Sequence, residues 1–213
     1  MRSPLAAISS SAVALERRNA DTETTRAAGI IRRSASRMAV LISDVMDLAR
    51  ARLGGGIAVS AMPEVQVGPI VEQVVAEARA SALERQFDVD IALPNAINCD
   101  GGRLAQLVAN LLANAVTHGR TDGPIRVGAR IVAGMLEISV ANEGTGIPEA
   151  VREKLFEPFY RASVAPRQEG LGLGLYIAAE IAKAHRGRIT VDSRDGRTTF
   201  AFRMPVGDRG PSS

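Results

Sequence analysis

Apolar residues in the first part of the chain recur every third or fourth position. Leu5, Ile8, Ala12 and Leu15 are spaced 3, 4, 3, which predicts a helix, with Pro4 in its first turn and Ser3 as N-cap. Ile31, Ala35, Met38, Ile42, Val45 and Ala49 are spaced 4, 3, 4, 3, 4, a heptad seam over nearly three repeats that Leu41 and Leu48 widen. A hairpin of this size cannot bury both seams by itself. Pairing with a second copy into a four-helix bundle solves that problem; capping the following domain is the other solution. Residues 1–53 hold one proline and one glycine, Pro4 and Gly29, and then comes Gly54-Gly55-Gly56. That triplet predicts a flexible break, with residues 54–62 as linker.

Beyond the break, helical and strand periods alternate. Residues 57–66 alternate like a strand, 69–84 read as a helix, and Phe87, Val89 and Ile91 alternate as a strand. A strong helix is predicted at 101–117, strands at about 125–132 and 135–141, a helix at 171–185, and strands at about 188–192 and 197–204. The expected fold class is α+β: a helical hairpin at 1–53, then a two-layer α/β sandwich at 63–206. Residues 207–213 read as a frayed tail.

Composition narrows the function. Of 213 residues, 46% are hydrophobic and 23% charged, which excludes a disordered chain. Aromatics are 3%, so the core must rest on Ala, Leu, Val and Ile. The net charge is only +3 and no aromatics interleave the arginines, which argues against nucleic acid. No apolar run reaches the roughly 18 residues that span a bilayer, and no signal peptide opens the chain, so no membrane contact is expected. A single cysteine, Cys99, fits a reducing compartment. The expectation is a soluble, cytoplasmic segment.

The chemistry-bearing residues fall into three groups. On the 101–117 helix, Asn110, Asn114 and His118 are spaced by four and form a polar row apart from the apolar stripe of Leu104, Leu107, Val108, Leu111 and Leu112. Asparagine forms helix poorly, so two of them one turn apart need a reason. Their amide oxygens are neutral, hard ligands suited to Mg²⁺; two solvated or cap-like asparagines fit the helix equally well. Next, Asn142-Glu143-Gly144-Thr145-Gly146-Ile147-Pro148 follows a strand directly, and its glycines permit a left-handed backbone and a close approach to a ligand. Last, Gly170, Gly172 and Gly174 lead into a helix, either as a phosphate cradle or for close helix packing. This is neither a Walker A motif nor a dinucleotide fingerprint.

In order and spacing (28 residues from Asn114 to Asn142, and 28 more to Gly170) these pieces resemble the N box, first glycine box, F box and second glycine box of the GHKL ATP-binding domain. The F box is Phe156-Glu157-Pro158-Phe159, and the resemblance covers about residues 63–205. Met1-Arg2-Ser3-Pro4-Leu5 resembles the end of the H box of sensor histidine kinases. The whole chain is thus similar to a histidine kinase transmitter core. That resemblance implies a homodimer through the hairpin, ATP and Mg²⁺ as ligands, and transfer of the γ-phosphoryl group to a histidine. It also implies relay to an Asp of a response-regulator receiver domain, docked near Arg32, Arg33 and Arg37. Asn142, Gly144 and Gly146 would meet the adenine, Asn114 and Asn110 would hold Mg²⁺, and His118 and Arg161 would flank the nucleotide. Gly170, Gly172 and Gly174 would approach the phosphates under a lid at about 162–169, with Phe156 and Phe159 packed beneath it.

Three departures qualify the resemblance. The phosphoacceptor His would stand two positions before Met1, and the histidines present, His118 and His185, lie in the sandwich. The chain is expected to lack its own acceptor, whether by truncation at an internal Met or by nature; Ser3, linked in the family to dephosphorylating the regulator, is then left without its neighbour. Asn142 replaces the family's Asp, which predicts weakened ATP binding. Thr117 replaces a cation, which leaves Arg120, Arg161 or Arg167 to supply one. A nucleotide-binding scaffold or pseudokinase is the alternative that the first two departures favour.

Overall fold

A computed structural model describes residues 2–17, 22–59, 63–93, 95–160 and 171–206. The chain forms two compact units, Met1–Ala49 and Arg50–Ser213. In the first, α1 (Arg2–Arg17) and α2 (Thr22–Arg50) are the two helices that the apolar spacing predicts. The buried positions here include the small residues Ala12, Ala28 and Ala35, together with Asp47 and Leu48 towards the end of α2. Several large members of the seams remain exposed: Ile8 and Leu15 on α1, and Ile31, Met38 and Val45 on α2. Each set repeats at seven-residue intervals, the period of a coiled-coil stripe.

The glycine triplet does not end the helix where its composition suggests. A single π-helical turn, Ala51–Gly55, continues directly from α2, and the chain leaves helical geometry at Gly56, with φ 58° and ψ −176°. Two glycines weaken a helix without forbidding it; a left-handed φ ends it. Among the described residues of the strand expected at 57–66, β1 (Glu64–Val65) is the part that forms, paired antiparallel with β3 (Ile97–Asn98), which sequence periodicity had not marked.

The second unit is a layer of helices on a mixed sheet. In chain order it carries α3 (Val67–Ser81), β2 (Phe87–Ala92), α4 (Gly101–His118), β4 (Ile125–Val132), β5 (Met135–Glu143), α5 (Glu149–Arg152), α6 (Gly174–Ala184), β6 (Arg188–Arg194) and β7 (Arg197–Pro205). A 3-10 turn, Glu153–Phe156, follows α5. The strand order is β2-β4-β5-β7-β6, with β2–β4 parallel and the other pairs antiparallel. α4 packs against α3, α6 and β5 and forms the centre of the core. Its Leu104, Leu107, Val108, Leu111, Leu112 and Ala115 are all buried, opposite Ile138, Val140, Phe200 and Phe202. Strand alternation sends the intervening residues outward, where Glu137 lies between Arg130 and Arg203 at 2.9 and 2.6 Å.

Both ends of α4 are fastened. At its start the Asp100 carboxylate accepts from the Arg103 N–H at 3.0 Å, a standard N-cap. The Asp100 N–H donates in turn to His185 Nε2 at 3.1 Å, while Nδ1 lies 2.9 Å from the Ile181 carbonyl. An imidazole so held accepts through Nε2 and donates through Nδ1. His185 therefore ties the end of α6 to the start of α4 and has neither nitrogen to spare. Among the described residues, no helix is long and apolar enough to cross a membrane.

Candidate nucleotide site

α4 carries the polar row along one face and its C-terminal end abuts the end of β5. Asn142, the second-last residue of β5, is buried, and its Nδ2 donates to the Glu143 carbonyl at 3.3 Å. That leaves Oδ1 as the group offered to a ligand donor. Glu143, one residue on, turns to the opposite side and pairs with Arg126 at 3.3 Å. The following loop lies on α4: a Cβ at Gly144 would come within 3.1 Å of the His118 carbonyl and 3.6 Å of Asn142 Nδ2. A side chain there would press on the end of α4. Gly146 has φ 73°, a left-handed turn that reverses the loop.

Midway along α4, Asn110 faces the start of α6. A Cβ on Gly174 would sit 3.4 Å from Asn110 Oδ1, and Asn110 Nδ2 is buried with no hydrogen-bond partner among the described residues. A buried orphan donor beside a helix N-terminus fits a polar or anionic ligand, since an unmet amide is otherwise costly. α6 begins at Gly174, three residues later than its apolar pattern suggests, because Gly172 is left-handed at φ 69° and cannot join the helix. Asn114 is half-buried one turn along from Asn110, and His118 is exposed at the helix end. The structure thus brings Asn110 against Gly174, and Asn142 and the His118 carbonyl against Gly144, while Asn114 shares the α4 row and Gly146 and Gly172 are left-handed turns in the two glycine segments. Arg161, Gly170, Arg167 and the lid at 162–169 lie outside the described residues, as does the 207–213 tail.

Two expected roles fall on side chains that the structure describes. Phe156 packs edge-on against Phe200, with ring centroids 6.4 Å apart and planes at 83°, but Phe159 does not join it. Phe159 is 53% exposed with φ 65°, and its N–H donates to the Gly172 carbonyl at 3.1 Å. The backbone of the F box thus bonds the glycine segment at Gly172. Arg120 is no free cation: Asp122 holds it through two hydrogen bonds of 2.6 and 3.1 Å, and that pair keeps the Asp122 carboxyl below its ordinary range.

Sequence reasoning missed the support of the Asn142–Ile147 loop, because it comes from the β6–β7 hairpin. The Gly144 N–H donates to the Gly196 carbonyl at 2.8 Å, and the Ile147 N–H to Ser193 Oγ at 2.8 Å. Ser193 Oγ shares a 2.8 Å bond with Thr198 Oγ1, and Thr198 is the ladder partner of Asn142. Arg152 spans the same loop and hairpin, donating to the Ser193 carbonyl at 2.8 Å and the Ile147 carbonyl at 3.3 Å. No spacing rule relates residues 147, 152, 193 and 198; strand register alone assembles them. Among the described residues, no group of three or more His, Cys, Asp or Glu gathers at a metal-binding distance. Asn110 and Asn114 carry neutral amide oxygens, a donor type that fits a hard cation.

Comparison with known proteins points the same way. Residues 99–208 match the family described as histidine kinase-, DNA gyrase B- and HSP90-like ATPase, and residues 1–54 match the His Kinase A (phospho-acceptor) domain. A bacteriophytochrome of Pseudomonas aeruginosa is 38% identical over 208 residues, covering 97% of this chain and 28% of that protein. The probable sensor histidine kinase TcrY of Mycobacterium tuberculosis is 35% identical over 210 residues, covering 97% of this chain and 44% of that protein. Among solved structures, full-length ShkA in complex with AMPPNP superposes with a TM-score of 0.71 at 28% identity, covering 99% of this chain and 45% of that one. The mycobacterial sensor histidine kinase MprB gives 0.62 at 26% identity, covering 67% of this chain and 97% of that one. The chain spans less than half the length of the first curated relatives it matches.

Proposed function

Because the chain belongs to the sensor histidine kinase family, with a phospho-acceptor-type hairpin followed by the family's ATPase-type domain, we propose that it is the ATP-binding catalytic core of a two-component kinase. The observation that carries this reading is the α4 row against two glycine segments: Asn142 and Gly144 at one end, and Asn110 against Gly174 at the other.

Asn142 Oδ1 accepts from the base, and the bare backbone at 144–146 lets a flat ring approach. The buried Asn110 amide and the N–H groups at the start of α6 meet the phosphates, where a helix N-terminus favours negative charge. Asn114 and Asn110 have the hard amide oxygens to hold Mg²⁺, which when bound neutralises charge on the phosphates. In phosphoryl transfer, positioning and charge neutralisation supply most of the acceleration. The lone pair of an imidazole nitrogen attacks the γ-phosphorus, the bond to the bridging oxygen breaks, ADP leaves, and the other ring nitrogen releases its proton to solvent. His185 is not the acceptor, since both its nitrogens are engaged. The acceptor is a histidine of a phospho-acceptor hairpin. From there the phosphoryl group passes to a receiver-domain Asp. ATP as donor sets the reaction in the cytoplasm.

The exposed stripe of Ile31, Met38 and Val45 supports the hairpin as a homodimer contact. Asn142 in place of the family's Asp favours a second reading, a nucleotide-binding scaffold with little turnover. Incubation with labelled Mg-ATP and an acceptor-bearing hairpin separates the two. Label on the hairpin supports the kinase; nucleotide binding without label leaves the scaffold.

A further inference from the structure

Arg85 lies in the α3–β2 loop, outside the stretch that matches the ATPase family, yet its guanidinium reaches the far end of α4. Nη1 donates to the Gly119 carbonyl at 3.3 Å and to the Arg120 carbonyl, and Nη2 to the Ala115 carbonyl at 3.4 Å. The last carbonyls of a helix lack intrahelical partners, and a cation there also meets the negative end of the helix dipole. A planar fork satisfies several carbonyls together in a way that a lysine cannot. Burial comes at a cost, since Arg85 Nε is enclosed without a partner among the described residues.

This clasp leads to the base end of the cleft. Gly119 is wedged between Arg85 and Asn142: a Cβ there would lie 2.6 Å from Arg85 Nη2, 2.6 Å from the Ala115 carbonyl and 3.0 Å from Asn142 Cβ. The Arg120 N–H donates to the Glu143 carbonyl at 2.6 Å, so the segment after α4 is bonded to the end of β5. Arg85, Gly119 and Asn142 are stacked, and His118 is the residue that hangs from this joint. Asp122, held chiefly by Arg120, also feels the Arg85 charge.

We infer that Arg85 is a positioning residue for nucleotide binding: by clasping the end of α4 it sets the distance between His118 on the helix and Asn142 on β5. This rests on the nucleotide reading above. Arg85 meets the base end, so its loss should weaken di- and triphosphates alike. A residue that only stabilises the fold would lower the melting temperature and leave affinity unmoved.

The test is calorimetric titration of the full chain with Mg-AMPPNP and with Mg-ADP, with thermal unfolding beside it, for Arg85→Gln and Arg85→Lys. Arg85→Gln should lose about tenfold in affinity for both nucleotides, with their ratio unchanged, and Arg85→Lys should lose about threefold while keeping its melting temperature. Unchanged affinity in both variants overturns the proposal, as does a loss confined to AMPPNP. If Arg85→Gln fails to fold, Arg85→Lys decides alone: an affinity equal to that of the unaltered chain overturns the inference. If the unaltered chain binds neither nucleotide, the nucleotide reading fails and takes this one with it, an outcome distinct from a loss in the variants only.

Discussion

Thr198 stands directly across from Asn142 in the β5–β7 ladder, and both are buried. The Thr198 hydroxyl is bonded to Ser193 Oγ, which in turn receives the Ile147 N–H. The loop that follows Asn142 is therefore tied, through two hydroxyls, to the strand that pairs with Asn142.

Asn142→Asp should tighten Mg-AMPPNP binding by about tenfold, because a carboxylate accepts a hydrogen bond more strongly than an amide by about 1–2 kcal/mol. Titration calorimetry reads it. No gain would remove Asn142 from the base subsite.

Arg152→Ala should loosen the Asn142–Ile147 loop without touching ligand. Two side-chain bonds to the Ser193 and Ile147 carbonyls are lost, a cost of about 1–2 kcal/mol. Hydrogen exchange at the Ile147 amide should rise while amides in the middle of α4 stay protected; equal rises in both would mean global destabilisation instead.

Met38→Asp places a charge in the middle of the exposed seam, where Ile31, Met38 and Val45 are 44%, 45% and 48% exposed in the single chain. A charge at a seam position opposes its own copy across a symmetric interface. Light scattering should show the unaltered chain as a dimer and the variant as a monomer. A monomeric unaltered chain would dismiss the paired bundle.

Asp44 on α2 has its pKa pushed up to about 6, first by burial and then by the neighbouring Asp47 carboxylate. A raised carboxyl contributes stability that is complete below its unfolded value near 4 and is lost as pH rises through about 6. Asp44→Asn should therefore leave stability unchanged near pH 4 and raise it at pH 7.5. Asp44 is partly exposed, so solvent screening limits the gain to about 1 kcal/mol. Melting temperatures across pH 4 to 8 check the sign; a variant less stable than the parent at pH 7.5 would reverse it.

Local order was legible from the chain alone. Spacing of three and four placed α1, α2 and α4, marked Ile31, Met38 and Val45 as a seam, and separated Asn110, Asn114 and His118 from the buried stripe of α4, because a helix face is written in near neighbours. The tertiary structure decided what depends on distant segments meeting. Thr198 faces Asn142 through strand register across 56 positions, and Arg85 reaches Gly119 across 34. The late start of α6 and the exposed ring of Phe159 follow from left-handed backbone at Gly172 and at Phe159 itself. Periodicity records which face of an element avoids water; it carries no trace of which partner that element will find, since pairing and register are settled only when the whole core closes.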